Sequence, residues 1–221
     1  MSLALRIATF GLLALAACAD PAPPVPAAEA ADVAAPPAPT SDAAAQGAVG
    51  DAEQAPGFAL PDAMGREVRL DSLLRRGPVV LTFYRGAWCP YCNTQLRDYQ
   101  DALDQIEAAG ATLVAISPQT PDVSMTTAER NGLAFPVLSD VGNEVSRRYG
   151  LVYEVDDQTR ERYEAVGIDL PATNGTATWE LPVPATYVIG SDGAVRAAFV
   201  ESDYTRRTSA RQVLDALRDA T

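Results

Sequence analysis

Residues 78–116 constrain this chain more than any other stretch. Pro78-Val79-Val80-Leu81-Thr82-Phe83-Tyr84 is a continuous apolar, β-rich run, the pattern of a strand buried on both faces. From Cys89 the apolar positions Cys92, Leu96, Tyr99, Leu103 and Ile106 recur at steps of three or four until Gly110, which predicts one helix with a glycine stop. A second buried strand follows at 112–116. Strand, long helix and strand in that order form a right-handed parallel crossover, so the chain must build a sheet with a helix packed across it.

The flanking sequence extends that sheet. Upstream, 58–62 and 67–70 are short extended pieces on either side of Met64-Gly65, and 71–75 is a short helix. Downstream, the pattern predicts a helix at 121–132, an extended piece at 136–138 and a helix at 141–149. Residues 151–182 are polar, contain one helical candidate at 154–165, and read as an insertion. Strands at 185–189 and 194–201 flank Gly190-Ser191-Asp192-Gly193, a hairpin turn signal. Ser209-Ala210-Arg211-Gln212 is a capping box ahead of Val213, Leu214 and Leu217 on one helix face. This order predicts an α/β domain of thioredoxin-like fold over 58–221: a central mixed sheet, parallel crossover plus C-terminal antiparallel hairpin, flanked by helices.

Composition narrows the chemistry. The 221 residues are 48% apolar and 21% charged, enough for a packed domain plus accessories. The formal net charge is −12, and all 17 basic residues are arginine, with neither Lys nor His in the chain. An acidic chain gains nothing from phosphate backbones, which excludes nucleic acid as a partner. Without histidine there is no Ser-His-Asp hydrolysis, no Cys-His protease and no His-ligated metal. Carboxylates, arginines, hydroxyls, tyrosines and three cysteines remain.

The first 17 residues read as a signal peptide: Arg6, then the apolar run Ile7-Ala8-Thr9-Phe10-Gly11-Leu12-Leu13-Ala14-Leu15, then small residues. Leu15-Ala16-Ala17-Cys18 resembles the bacterial lipobox, which implies lipidation at Cys18; the alternative is an ordinary cleaved signal with a coincidental cysteine. Residues 18–57, rich in Pro and Ala, acidic and without a basic residue, read as a disordered tether. A lipid-anchored domain of the bacterial cell envelope, facing the periplasm, is expected. Ala19, where inner-membrane retention needs an acid, favours the outer membrane.

Cys89-Pro90-Tyr91-Cys92 sits where the buried strand gives way to the helix. Unsatisfied N–H groups and the macrodipole at a helix N-terminus favour a thiolate on the first cysteine, so Cys89 is the expected nucleophile. Cys92, three residues on and at the head of the apolar stripe, is the expected resolving partner. Pro90 suits the first turn, where its missing N–H had no partner. Trp88 and Tyr91 flank the sulfurs. A structural disulfide is a weak alternative, because closing so short a loop constrains the unfolded chain little. A metal site lacks ligands, and two inert core cysteines are the remaining alternative; no cofactor is expected.

Phe83-Tyr84-Arg85-Gly86-Ala87-Trp88-Cys89-Pro90-Tyr91-Cys92-Asn93, Ala115-Ile116-Ser117-Pro118-Gln119, Phe135-Pro136-Val137-Leu138-Ser139-Asp140, Pro182-Val183-Pro184-Ala185-Thr186-Tyr187 and Asp203-Tyr204, in that order, resemble the peroxiredoxin-like branch of the alkyl hydroperoxide reductase/thiol-specific antioxidant family. The resemblance implies a thiol peroxidase: a cysteine attacks a hydroperoxide, becomes a sulfenic acid and condenses with a second thiol, and an external thioredoxin-like dithiol reduces the disulfide. Thioredoxin-like proteins place a cis-proline at the position of Pro184, packed against the dithiol; the alternative is a turn proline at a strand start. Family members carry Pro-x-x-x-Thr/Ser-x-x-Cys. Counting back from Cys89, those positions hold Thr82 and Gly86; counting from Cys92, they hold Arg85 and Cys89. The cation that orients the peroxide would then be Arg85 or Arg196. Two other readings stay open: a tethered thiol-disulfide oxidoreductase acting on envelope proteins, and a binding module that uses the insertion as its contact surface.

Overall fold

The computed structural model describes residues 39–219. The signal segment, Cys18 and the first part of the tether lie outside the described residues. A five-stranded sheet organises the domain, in the order β5 (Val137–Ser139), β4 (Thr112–Ser117), β3 (Val79–Phe83), β8 (Ala185–Ile189) and β9 (Val195–Val200). Its central strand β3 (Val79–Phe83) pairs parallel with β4 (Thr112–Ser117) and antiparallel with β8 (Ala185–Ile189). Strand β5 (Val137–Ser139) extends the parallel side, and β9 (Val195–Val200) closes the other as the second strand of the hairpin. All five residues of β3 are buried, as its unbroken apolar run requires. Alternation along β3 divides the core. Val79, Leu81 and Phe83 face one cluster with Tyr149 and Tyr187; Val80 and Tyr84 face the other, with both cysteines, Leu96, Tyr99 and Val213.

Strands β1 (Ala59–Pro61) and β2 (Glu67–Arg69) form a small antiparallel pair, followed by helix α2 (Leu70–Leu74). The predicted 89–110 helix is two: α3 (Pro90–Asp101) and α4 (Leu103–Ala108). At Ala102 (φ −99°, ψ 2°) the hydrogen bonding tightens, Gln105 N–H donating to Ala102 O at 3.0 Å, and this three-residue turn breaks the helix without a Pro or Gly. Helix α5 (Pro121–Asn131) stops where expected, at Gly132 with φ +62°. Helix α6 (Glu144–Arg148) follows β5. C-terminal helix α9 (Ala210–Asp219) opens with the predicted box: Ser209 N–H donates to Gln212 Oε1 at 3.0 Å and Gln212 N–H to Ser209 Oγ at 3.4 Å.

The insertion folds on its own small core. Strands β6 (Val152–Glu154) and β7 (Glu180–Pro182) pair antiparallel around α7 (Asp157–Ala165) and α8 (Leu170–Asn174). Val155, Tyr163, Leu170, Trp179 and Leu181 pack together, with Trp88 of the dithiol loop against them.

The folded region begins before the expected boundary at 58. Helix α1 (Pro39–Gln46) and the residues after it dock on the domain: Val49 N–H donates to Tyr149 O at 3.1 Å, Ala52 N–H to Val195 O at 2.8 Å, and Ala55 N–H to Gly193 O at 3.0 Å. A Cβ on Gly150 would stand 2.2 Å from Gly47 O, so only glycine admits this approach. Composition suggested a tether, but small alanines pack closely: Ala44, Ala45, Ala48 and Val49 lie against the core, and residues 51–54 pair with part of the β9 edge.

Candidate active site

The junction of β3 and α3 places the dithiol. Cys89 is the N-cap of α3 with extended geometry (φ −86°, ψ 112°), and Pro90 occupies the first turn. The approach loop is held by Gln119, whose Oε1 accepts from Ala87 N–H at 2.9 Å, and by Asn93 Nδ2 donating to Ala87 O at 2.8 Å. Both cysteines are completely buried, at 0% exposure each, and both are free thiols. Cys92 is therefore no more enclosed than Cys89.

Two guanidiniums serve the pair. Arg207, in the segment between β9 and α9, donates from Nη2 to Cys92 Sγ at 3.5 Å and to Cys89 Sγ at 3.8 Å. The chain at Arg207 is fixed from α3: Tyr99 Oη and Gln95 Nε2 donate to Thr208 O at 3.0 and 3.2 Å, and Ala210 N–H donates to Asp98 Oδ2 at 2.7 Å. Burial pushes the Tyr99 hydroxyl up to about 12, so it remains a neutral donor. Arg85, 1% exposed, donates from Nη2 to Tyr163 Oη. Its guanidinium carbon lies 4.2 Å from the Tyr204 ring centre and 4.9 Å from that of Trp88. Trp88 packs on Tyr163 at 5.2 Å and Tyr91 on Tyr204 at 5.8 Å, so the insertion and the 201–209 segment form the walls.

The surroundings act differently on the two sulfurs. Burial pushes the Cys89 thiol well up, and the hydrogen bond and charge of Cys92 act the same way, against Arg85 and Arg207. Burial opposes ionisation of Cys92 too, but the Cys89 hydrogen bond and the two arginines outweigh it and hold Cys92 well below the usual thiol range. Cys89, the expected nucleophile, accepts no hydrogen bond from the first helical turn, and Arg207 Nη2 lies slightly nearer Cys92.

Pro184 and Arg196 also differ from expectation. No cis peptide bond occurs among the described residues, so Pro184 is trans. At the start of β8 it forfeits no ladder hydrogen bond, and its carbonyl accepts from Glu201 N–H at 3.1 Å. Arg196 pairs with Asp192 across the hairpin turn at 2.6 Å and takes no part in the site. Arg207 was not anticipated: it lies 118 residues from Cys89 in a stretch with no periodic pattern. Arg85 was anticipated, but its burial was not.

The sheet order, with two buried thiols at the head of α3, defines a thioredoxin-fold protein. The chain belongs to the AhpC/TSA family, whose model matches residues 52–198. Arg207 lies beyond that match. Over 98 residues the chain is 40% identical to a Mycobacterium tuberculosis protein named as a peroxiredoxin, covering 44% of this chain and 62% of that one. Over 144 residues it is 31% identical to the chloroplastic peroxiredoxin Q of Sedum lineare, covering 65% of each. The chain thus spans about three fifths of the length of the first of these relatives. The crystal structure of the peroxidoxin BcpB of M. tuberculosis superposes with a TM-score of 0.64 at 24% identity, over 78% of this chain and 99% of that one.

Proposed function

We propose that this protein is a thiol-dependent peroxidase that cycles between the Cys89/Cys92 dithiol and its disulfide. The observation that carries the reading is the placement of two fully buried thiols at the head of α3, both in reach of the Arg207 guanidinium, at 3.5 Å for Cys92 and 3.8 Å for Cys89. The Cys92 thiolate attacks the terminal oxygen of a hydroperoxide. The S–O bond forms as the O–O bond breaks, and the alkoxide or hydroxide leaves with the bonding electrons and takes up a proton. Cys92 is then a sulfenic acid, oxidised by two electrons. Cys89, already beside it, attacks that sulfur; the S–S bond forms, the S–O bond breaks, and water leaves with the Cys89 proton. An external dithiol of thioredoxin type returns the two electrons by exchange. Both sulfurs are buried, so each half of the cycle needs a local opening of the walls around them.

Sulfenic acid trapping tests the roles. Cys89→Ser should accumulate a sulfenic acid on Cys92 after one equivalent of peroxide, and Cys92→Ser should form none. Sulfenic acid on Cys89 of the Cys92→Ser variant instead would restore the helix-terminus assignment.

A second reading, thiol-disulfide exchange with other proteins, draws support from the adjacency of the two thiols, which suits release of a mixed disulfide. It predicts that a single-cysteine variant captures a protein partner without any peroxide. We place the domain in the bacterial cell envelope, anchored through Cys18, on the strength of the signal segment and lipobox; Cys18→Ser should then move the protein from the membrane to the soluble fraction. Among the described residues no helix is long and apolar enough to cross a membrane.

A further inference from the structure

The site holds more cationic and donor groups than the dithiol uses. Arg85 is buried, yet among the described residues it has no carboxylate partner, and its Nε and Nη1 have no hydrogen-bond partner. Buried charges are ordinarily paired. Arg207 already donates to both sulfurs, so the dithiol has its own cation and Arg85 stands as a second one beside it.

Two neutral donors stand beside them. Gln119 Oε1 is occupied by Ala87 N–H, which fixes the amide and leaves Nε2 without an acceptor. Trp88 Nε1 is likewise buried and unpaired. Both nitrogens converge on Gly86: a Cβ there would lie 2.6 Å from Trp88 Nε1 and 3.1 Å from Gln119 Nε2. Any other residue at 86 would displace them. The face of Trp88 lies against the Arg85 guanidinium, so cation and neutral donors belong to one neighbourhood, walled by Tyr163 and Tyr204.

We propose that Arg85, Trp88 and Gln119 form a carboxylate-binding subsite beside the dithiol, so that the preferred oxidant is an organic hydroperoxide bearing a carboxylate. The carboxylate supplies the counter-charge that Arg85 lacks and accepts from the unpaired N–H groups. The aromatic walls suit an apolar carbon body between carboxylate and peroxide. The ligand enters through the same local opening that exposes the sulfurs. The preference for such an oxidant rests on the peroxidase reading; the subsite itself does not.

The experiment therefore has two arms. In the first, the reduced protein is alkylated with iodoacetamide in the presence of benzoate or the neutral isostere benzamide. Benzoate should slow the reaction and benzamide should not; equal effects, or none from benzoate, would overturn the subsite. In the second, kcat/KM is measured for a carboxylated hydroperoxide and for its methyl ester. The acid should be favoured roughly tenfold or more, as expected for hydrogen bonds to a charged group, and the ratio should fall towards one in Arg85→Met and Gln119→Leu. If Arg85→Met does not fold, Trp88→Phe, which keeps the ring and loses the donor, and Gln119→Leu give the same reading. A ratio near one in the unaltered protein, or a preference that survives Gln119→Leu and Trp88→Phe, would contradict the proposal. Benzoate protection without turnover of any hydroperoxide would overturn the peroxidase reading while upholding the subsite.

Discussion

Arg207 and the two cysteines show how one contact can redirect a site. Cys89 holds the N-cap, where the helix terminus would favour a thiolate, yet the guanidinium reaches Cys92 at 3.5 Å against 3.8 Å for Cys89. The pH consequence has a definite sign. Because Cys92 is held below the ordinary thiol range, its thiolate persists at neutral pH, and alkylation should slow only as the pH falls through that lowered value. Arg207→Ala removes one of the stabilising charges, moves the fall-off to higher pH, and should cut the alkylation rate at pH 6 roughly tenfold. Alkylation followed across pH 4 to 9 checks this. The cysteines, Pro90, Trp88 and Tyr91 were legible because strand, proline and apolar stripe all mark one junction. Arg207 was not: its partners are set by folding across more than a hundred residues, and no local pattern marks it.

Among the elements, legibility followed the strength of the local signal. The run 78–84, the Gly190–Gly193 turn and the Ser209/Gln212 box each combine composition with a fixed spacing, and each appears where expected. The break at Ala102 leaves no such trace, since alanine is a good helix former and the apolar stripe continues through it. Helix α6 rests on a carboxylate: Asp140, buried after β5, accepts from Val145 N–H at 2.9 Å and from Ser146 N–H and Oγ at 2.8 Å each. Asp140→Ala would leave two buried N–H groups without acceptors, at a cost of about 2 kcal/mol or more. Chemical denaturation should show the lower midpoint with an unchanged slope, and an unaltered midpoint would mean that the turn finds other acceptors.

Taken as a whole, the molecule is one sheet with the dithiol at the head of a crossing helix, an insertion on one side of it, and an N-terminal segment docked against the domain. The match between residues 51–55 and the 193–198 region predicts that a chain starting at residue 58 is less stable than one starting at 39 and exposes more of β9. A lower melting temperature and a greater tendency to aggregate should follow. The most direct test of the mechanism is the second-order rate constant for hydroperoxide consumption by the fully reduced protein, followed through Trp88 fluorescence. The account predicts a constant orders of magnitude above that of a free thiol at the same thiolate fraction, lost in Cys92→Ser and retained for a first turnover in Cys89→Ser. A constant no greater than the free thiol's would contradict it and leave disulfide exchange as the work of the pair.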